Sequence, residues 1–262
     1  MGILPTFIDK RAATVDLAYP ETAPAHLALN IPFGRLTLEP GAGNSLVSGK
    51  VTYNVAELKP AYSLKGRTVR IRQKARLLIP TGEIVNHWDF LLGDAAPFSL
   101  EAQCGAAEAR LTLGGVPLTG LKLDSGAGEM RVTFDAPNPA RLIEGKISAG
   151  AGRTTLRNLL NANAEYLHIR GGVGQIVAEF TGDGLQASGC ARIAAGMGEV
   201  QIVLEEDAPL RVIASMGLGD IKADPDLIQR NGGYETPAYA GSEVRFDIEV
   251  SGGVGSVRLE VA

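Results

Sequence analysis

The chain has 262 residues, 45% of them hydrophobic and 21% charged, which supplies a core and excludes intrinsic disorder. A net charge of −4 and a pI near 5.5 leave no positive field to hold nucleic acid or an anionic membrane. Cys104 and Cys190 are too few for a disulfide framework, and no run of about 18 apolar residues predicts a membrane-spanning helix.

The start, MGILPT, fits the short N-myristoylation pattern through Gly2 and Thr6, but carries no basic segment followed by a long apolar run. A cytoplasmic location is favoured on that ground. Residues 1–25 are expected to form a cover segment, and residues 26–262 one domain. A Gly-Ala-Gly turn follows at Gly41. Residues 50–92 lack such a turn, but Val51, Tyr53 and Val55, then Val69 and Ile71, alternate as strands around Gly66, predicting a hairpin insert that closes the first unit.

The remainder is a repeat. Small-residue turns begin at Gly41, Gly105, Gly126, Gly150, Gly172, Gly196, Gly217 and Gly253, and from Gly105 to Gly217 their spacings are 21, 24, 22, 24 and 21. Before each turn, positions minus five, minus three and minus one are apolar or small, as in Leu121, Leu123 and Ser125 or Ala191, Ile193 and Ala195. After it, positions plus four, plus six and plus eight are apolar, as in Ile176, Ala178 and Phe180 or Val257, Leu259 and Val261. Period two means strand on both sides. The step from minus one to plus four is odd, so the Gly-x-Gly must absorb one residue as a bulge or tight bend.

These units predict an all-β fold: a single elongated β-solenoid-like stack of about eight strand–Gly-x-Gly–strand repeats. Ala107 in the second copy, and Thr154 and Asn158 in the fourth, predict local irregularity. A short helical turn is expected between Thr154 and Leu167. The wider spacing of 36 before Gly253 predicts a surface loop at about 224–242. With one copy per rung, Cys104 and Cys190 fall three to four rungs apart and stay unpaired.

The run PFSLEAQCGAAEARLTLGGVPLTGLKLDSGAGEMRVTF resembles the toast-rack family, also described as LiaF-like proteins of the cell-wall-active antibiotic response or as domains of unknown function. So do Pro137 to Pro139, Asn161 to Asn163, GGVGQIVAEFTG, the IPFGRLTLEPGAG opening, HWDFLLG and the closing SGGVGSVRLEV, so that the resemblance spans roughly residues 26–262. It implies a prokaryotic protein whose relatives are often joined to membrane helices and tied to envelope-stress signalling or adhesion. It brings no catalytic motif.

The residues themselves point to no catalytic, cofactor or metal site. Gly43 and Gly49-Lys50 miss the spacing of a phosphate loop, and each Gly-x-Gly is followed by a strand where a dinucleotide fingerprint needs a helix. Met130, Ile176, Val200, Ile221 and Val257 stand where calcium-binding nonapeptide repeats place Asp. Glu205, Glu206 and Asp207, and Asp224 with Asp226, read as solvated turns. His26, His87 and His168 lack metal-ligand spacing; His87 beside Trp88 and Asp89 reads as a packed cap, and His168 as a surface imidazole. No Ser lies in a nucleophile elbow. No enzyme activity is expected.

Charged positions do align along the stack. Lys122, Lys146, His168 and Arg192 predict a basic column, and Glu108, Glu129, Glu199 and Asp220 an acidic one, with solubility alone a sufficient reason for both. The expected function is a non-catalytic protein-interaction or scaffold module. The alternative is a structural self-assembler that stacks end to end through exposed strand edges, the final strand Val257 to Val261 being one such edge. An adhesin surface is less favoured, because only 5% of residues are aromatic. The partner is another protein or a second copy.

Overall fold

Period-two segments fold as strands because one face can enter a core while the other stays in water. The computed structural model describes residues 7–73 and 83–262; the Gly2/Thr6 pattern lies outside them. The strands are β1 (Phe7–Ala18), β2 (Ala25–Pro40), β3 (Ser45–Val55), β4 (Ala61–Lys65), β5 (Thr68–Arg72), β6 (Asn86–Leu92), β7 (Phe98–Thr112), β8 (Leu118–Thr133), β9 (Leu142–Arg157), β10 (Ala164–Phe180), β11 (Gly189–Leu204), β12 (Leu210–Ala223), β13 (Ile228–Arg230), β14 (Gly233–Glu235) and β15 (Phe246–Val261). The short helical turn expected after Thr154 is a 3-10 turn at Leu159–Ala162.

Among the described residues all fifteen strands join one open sheet, parallel through the order β2-β7-β8-β9-β10-β11-β15-β12. The Gly-x-Gly copies that begin at Gly126, Gly150, Gly172, Gly196, Gly217 and Gly253 each lie inside a single strand and crease it into two arms. Phe180 at the end of β10 lies 5.6 Å, centroid to centroid, from Phe246 at the start of β15, so the far ends of the arms converge. The core fills the wedge between them: Leu121, Leu123, Met130 and Val132 on β8, and Ile193, Val200 and Ile202 on β11, are all buried.

The crease requires glycine for two reasons. Gly198 has φ +136°, which side chains with a Cβ rarely adopt, and an added Cβ would run into the carbonyl oxygen of Gly174 on the neighbouring rung. Rungs stack in strict register there, with Gly152, Gly174, Gly198, Gly255 and Gly219 side by side. β7 differs as expected at Ala107, which is buried and lacks a positive φ, and pairing with β8 skips from Ala106/Ala127 to Ala109/Met130. Thr154 keeps its register and is buried, so the expected irregularity does not occur there. Asn158 leaves the strand in the left-handed region, φ 55°.

Four expectations need correction. The first crease is not at Gly41, which sits in the turn between β2 and β3; it is Pro32-Phe33-Gly34, which faces Gly105-Ala106-Ala107. Residues 50–92 are more than a hairpin. Gly66 does turn β4 into β5, but β3 pairs with β1 and β6. β5 and β6 together form another rung beside β2: His26 faces Thr68 and Arg35 faces His87, so the offset grows from 42 to 52 and about ten residues are inserted at the crease.

That interrupted crease has no Gly-x-Gly. Gln73 and Asn86 exchange two side-chain amide hydrogen bonds at 2.8 Å, Asn86 Nδ2 also donates to Phe33 O at 2.6 Å, and Trp88 Nε1 donates to Asn86 Oδ1 at 3.3 Å. Both amides are buried, and this mutual satisfaction makes their burial tolerable.

The third correction concerns β15. It is not an edge: it lies between β11 and β12, paired on both sides over most of its length. Finally, the segment at about 224–242 is not simply a surface loop. β13 and β14 form a small hairpin, β14 pairs with β12 at Arg211 and Val212, and Leu227, Glu235, Thr236 and Tyr239 are buried.

Candidate interaction surface

The outward face of the first arm carries a continuous basic row. Lys122, Lys146, His168 and Arg192 face one another on β8 to β11, flanked by Glu101 on β7 and Glu249 on β15. The row is compensated locally. Lys122 donates to Glu101 at 2.9 Å, Lys146 to Glu144 at 2.6 Å and Arg192 to Glu249 at 2.9 Å, while His168 lies 3.9 Å from Glu144. The Lys122 ammonium and its hydrogen bond hold the Glu101 carboxyl below the usual carboxylate range. Such exposed pairs contribute little stability.

The acidic column is not continuous. In register the row reads Arg35, Glu108, then Glu129, Arg153, Gln175, Glu199, Ser256 and Asp220, so opposite charge interrupts it. Glu108 pairs with Arg35 and Arg110, and Glu199 with Arg258 at 3.4 Å.

Titratable groups are likewise dispersed. His26 hydrogen-bonds Ser99 at 2.8 Å and lies 3.5 Å from Glu101; His87 is half-buried on β6 beside Trp88, whose ring packs edge-on against Phe90 at 5.5 Å. Both cysteines are free, four rungs apart on β7 and β11. Burial, reinforced by Asp124, pushes the Cys104 thiol up to about 12, and burial raises Cys190 as well. Among the described residues no three or more His, Cys, Asp or Glu side chains gather as metal ligands.

Among the described residues two features are unpartnered. The middle residues of the creases align across the sheet as Phe33, Ala106, Ala127, Ala151, Val173, Met197, Val254 and Leu218. The last four are large, apolar and exposed by 58%, 54%, 44% and 69%, forming a crest over four consecutive rungs. This crest ends at β12, whose side away from β15 meets β14 only at Arg211 and Val212. Beyond them, among the described residues, no strand covers Ile213 to Ala223. The inward residues Ala214, Met216, Ile221 and Ala223 are therefore only partly buried, whereas Val250, Val257 and Leu259 on β15 are fully enclosed.

The family described as the N-terminal domain of toast_rack, DUF2154, matches residues 8–157, from β1 through β9. The chain belongs to that family. No curated protein matches it. Among solved structures, a candidate cell adhesion protein from Clostridium sporogenes ATCC 15579 is 18% identical, with 98% of this chain and 100% of that one covered and a TM-score of 0.49. A candidate adhesin from Bacteroides fragilis NCTC 9343 is 9% identical, with the same coverage and a TM-score of 0.35. Among the described residues of this toast_rack chain, no helix is long and apolar enough to cross a membrane.

The crest went unread in the sequence although its signal was present. The middle residue of Gly-x-Gly changes from Ala in the earlier copies to Val, Met, Leu and Val in the last four.

Proposed function

We propose that this toast_rack chain is a non-catalytic protein-interaction module, with the envelope-stress setting that the family resemblance implies. The observation that carries this reading is the apolar crest Val173, Met197, Val254 and Leu218, which exposes side chains that cost free energy in water and gain it against a complementary surface. The raised cysteine pKa values and the dispersed histidines support a role without chemistry. A structural, self-assembling role is the second reading, favoured by the uncovered stretch of β12.

The test is proximity cross-linking of the protein in its native cells, with the captured protein identified and then rebuilt from purified parts. Val173→Glu with Met197→Glu is expected to abolish that reconstituted complex while leaving the far-UV circular dichroism unchanged. A complex that forms equally well with the doubly substituted crest refutes the crest as the contact, and turnover in a broad substrate screen refutes the non-catalytic reading.

A further inference from the structure

The free stretch of β12 contains a symmetry of its own. Its inward positions are Ala214 and Met216 on the first arm and Ile221 and Ala223 on the second, because the Gly217-Leu218-Gly219 crease absorbs one residue between them. Reversed about the point between Leu218 and Gly219, the pattern maps onto itself: Met216 takes the place of Ile221, and Ala214 that of Ala223. A two-fold axis along the bisector of the crease exchanges the arms and preserves the wedge, so a reversed copy keeps its core side on the core side.

We propose that β12 is the two-fold contact of a homodimer, its free edge pairing antiparallel with β12 of a second copy. This rests on reading the sheet edge as an interaction surface. In the symmetric register Met216 faces Ile221 of the second copy and Ala214 faces its Ala223, so all four half-buried inward residues gain a cover and the two cores become one. A shift by one residue would set inward positions against outward ones. Shifts by two residues leave Met216 opposite Gly219 or leave Ala214 opposite Pro225.

The outward residues agree with this register. Leu218, the most exposed apolar side chain of the crest, meets Gly219 of the second copy, which has no side chain to obstruct it. Ser215 meets Lys222, Ile213 meets Asp224 and Gly217 meets Asp220, so no like charges stand opposite. The β13–β14 hairpin sets the length: it occupies the edge at Arg211 and Val212, and the pairing from Ile213 to Asp224 ends where it begins.

The opposite end of the sheet is built differently. β1 is broken by register shifts and carries Asp9, Lys10 and Arg11, and β4 is five residues long with Pro60 before it and Lys65 at its end. Charges, proline and brevity blunt edge pairing. The contact between β12 strands is isologous and closes at two copies.

The experiment measures mass by sedimentation equilibrium on the full chain and couples it to cysteine cross-linking in a Cys190→Ser background. In the proposed register the two Leu218 Cα atoms lie about 6 Å apart, within disulfide reach, and the two Asp220 Cα atoms more than about 10 Å apart. Mass is expected to rise from monomer to dimer and stop. Leu218→Cys is expected to yield a disulfide-linked dimer and Asp220→Cys none, while Leu218→Lys weakens association at least about tenfold.

A monomer at every concentration, growth into fibres, or a dimer that Leu218→Cys does not trap overturns the proposal. If Leu218→Lys fails to fold, the cysteine pair decides alone. A heterologous complex that survives Leu218→Lys, with no dimer formed, sinks this inference and leaves the interaction-module reading standing.

Discussion

Replacing Gly198 by alanine tests the crease at its most demanding point. The residue sits at φ +136°, a region that costs a residue with a Cβ about 1–3 kcal/mol. The new methyl group points into the Gly174 carbonyl oxygen, so the β10–β11 ladder must part locally, at a further cost of about 1 kcal/mol for a strained or lost hydrogen bond. The sum, about 2–4 kcal/mol, is a large share of the roughly 5–15 kcal/mol that holds a domain folded. At about 2–4 °C per kcal/mol it lowers Tm by roughly 4–16 °C. Met197→Ala, one residue away on the exposed crest, is the control and should stay within about 0.5 kcal/mol of the parent. Urea denaturation followed by far-UV circular dichroism reads both. If Gly198→Ala is as mild as Met197→Ala, the stacked crease is not what demands glycine.

Asn86→Leu should destabilise by about 2–4 kcal/mol in the same assay, because it removes the donor to the buried Gln73 Oε1 and to the Phe33 carbonyl and the acceptor of Trp88 Nε1. Cys104 should resist iodoacetamide at pH 8 until denaturant is added, since burial holds its thiol protonated to about pH 12. The same shift has a stability sign: above the unfolded pKa of 9.0 the unfolded chain loses the proton first, so stability falls from pH 9 toward 12 by up to about 1.4 kcal/mol per unit. Cys104→Ala should flatten that alkaline decline, measured by urea titration at each pH. Lys146→Glu should change stability by less than about 1 kcal/mol, because the pair it breaks with Glu144 is exposed.

The regular part of the stack was legible because one physical demand recurs: alternate burial on two arms and an extra glycine residue where they meet. Leu121, Leu123, Met130 and Val132 could be placed inward from spacing alone, and all four are buried. Legibility ended where another chemistry met the same demand. At the β5–β6 crease Gln73 and Asn86 replace the glycines, and nothing in period or composition marks two amides as a corner. The Gly-Ala-Gly at Gly41 erred the other way, since two glycines serve an ordinary turn equally well. The place of β15 was hidden because every rung presents the same register to its neighbours, so pattern alone cannot order them. Only the spacing of 36 before Gly253 hinted at a different path. Of the candidate surface, the basic row followed from the repeat, whereas the acidic row failed because Arg153, Gln175 and Ser256 come between its members.

The position of β15 also governs how the molecule can be assembled. A simple solenoid can zip from one end, each rung templating the next as it is made. Here β12 is synthesised before the strand that joins it to β11, so growth stalls one rung short and β12 has no parallel neighbour until residues 246–261 arrive. Until then the β11 edge and β12 are both open, and any extended segment of suitable pattern can compete for either. Of these rungs, the last in chain order is an internal one, so the stack behaves less like a zip than like an arch awaiting its keystone.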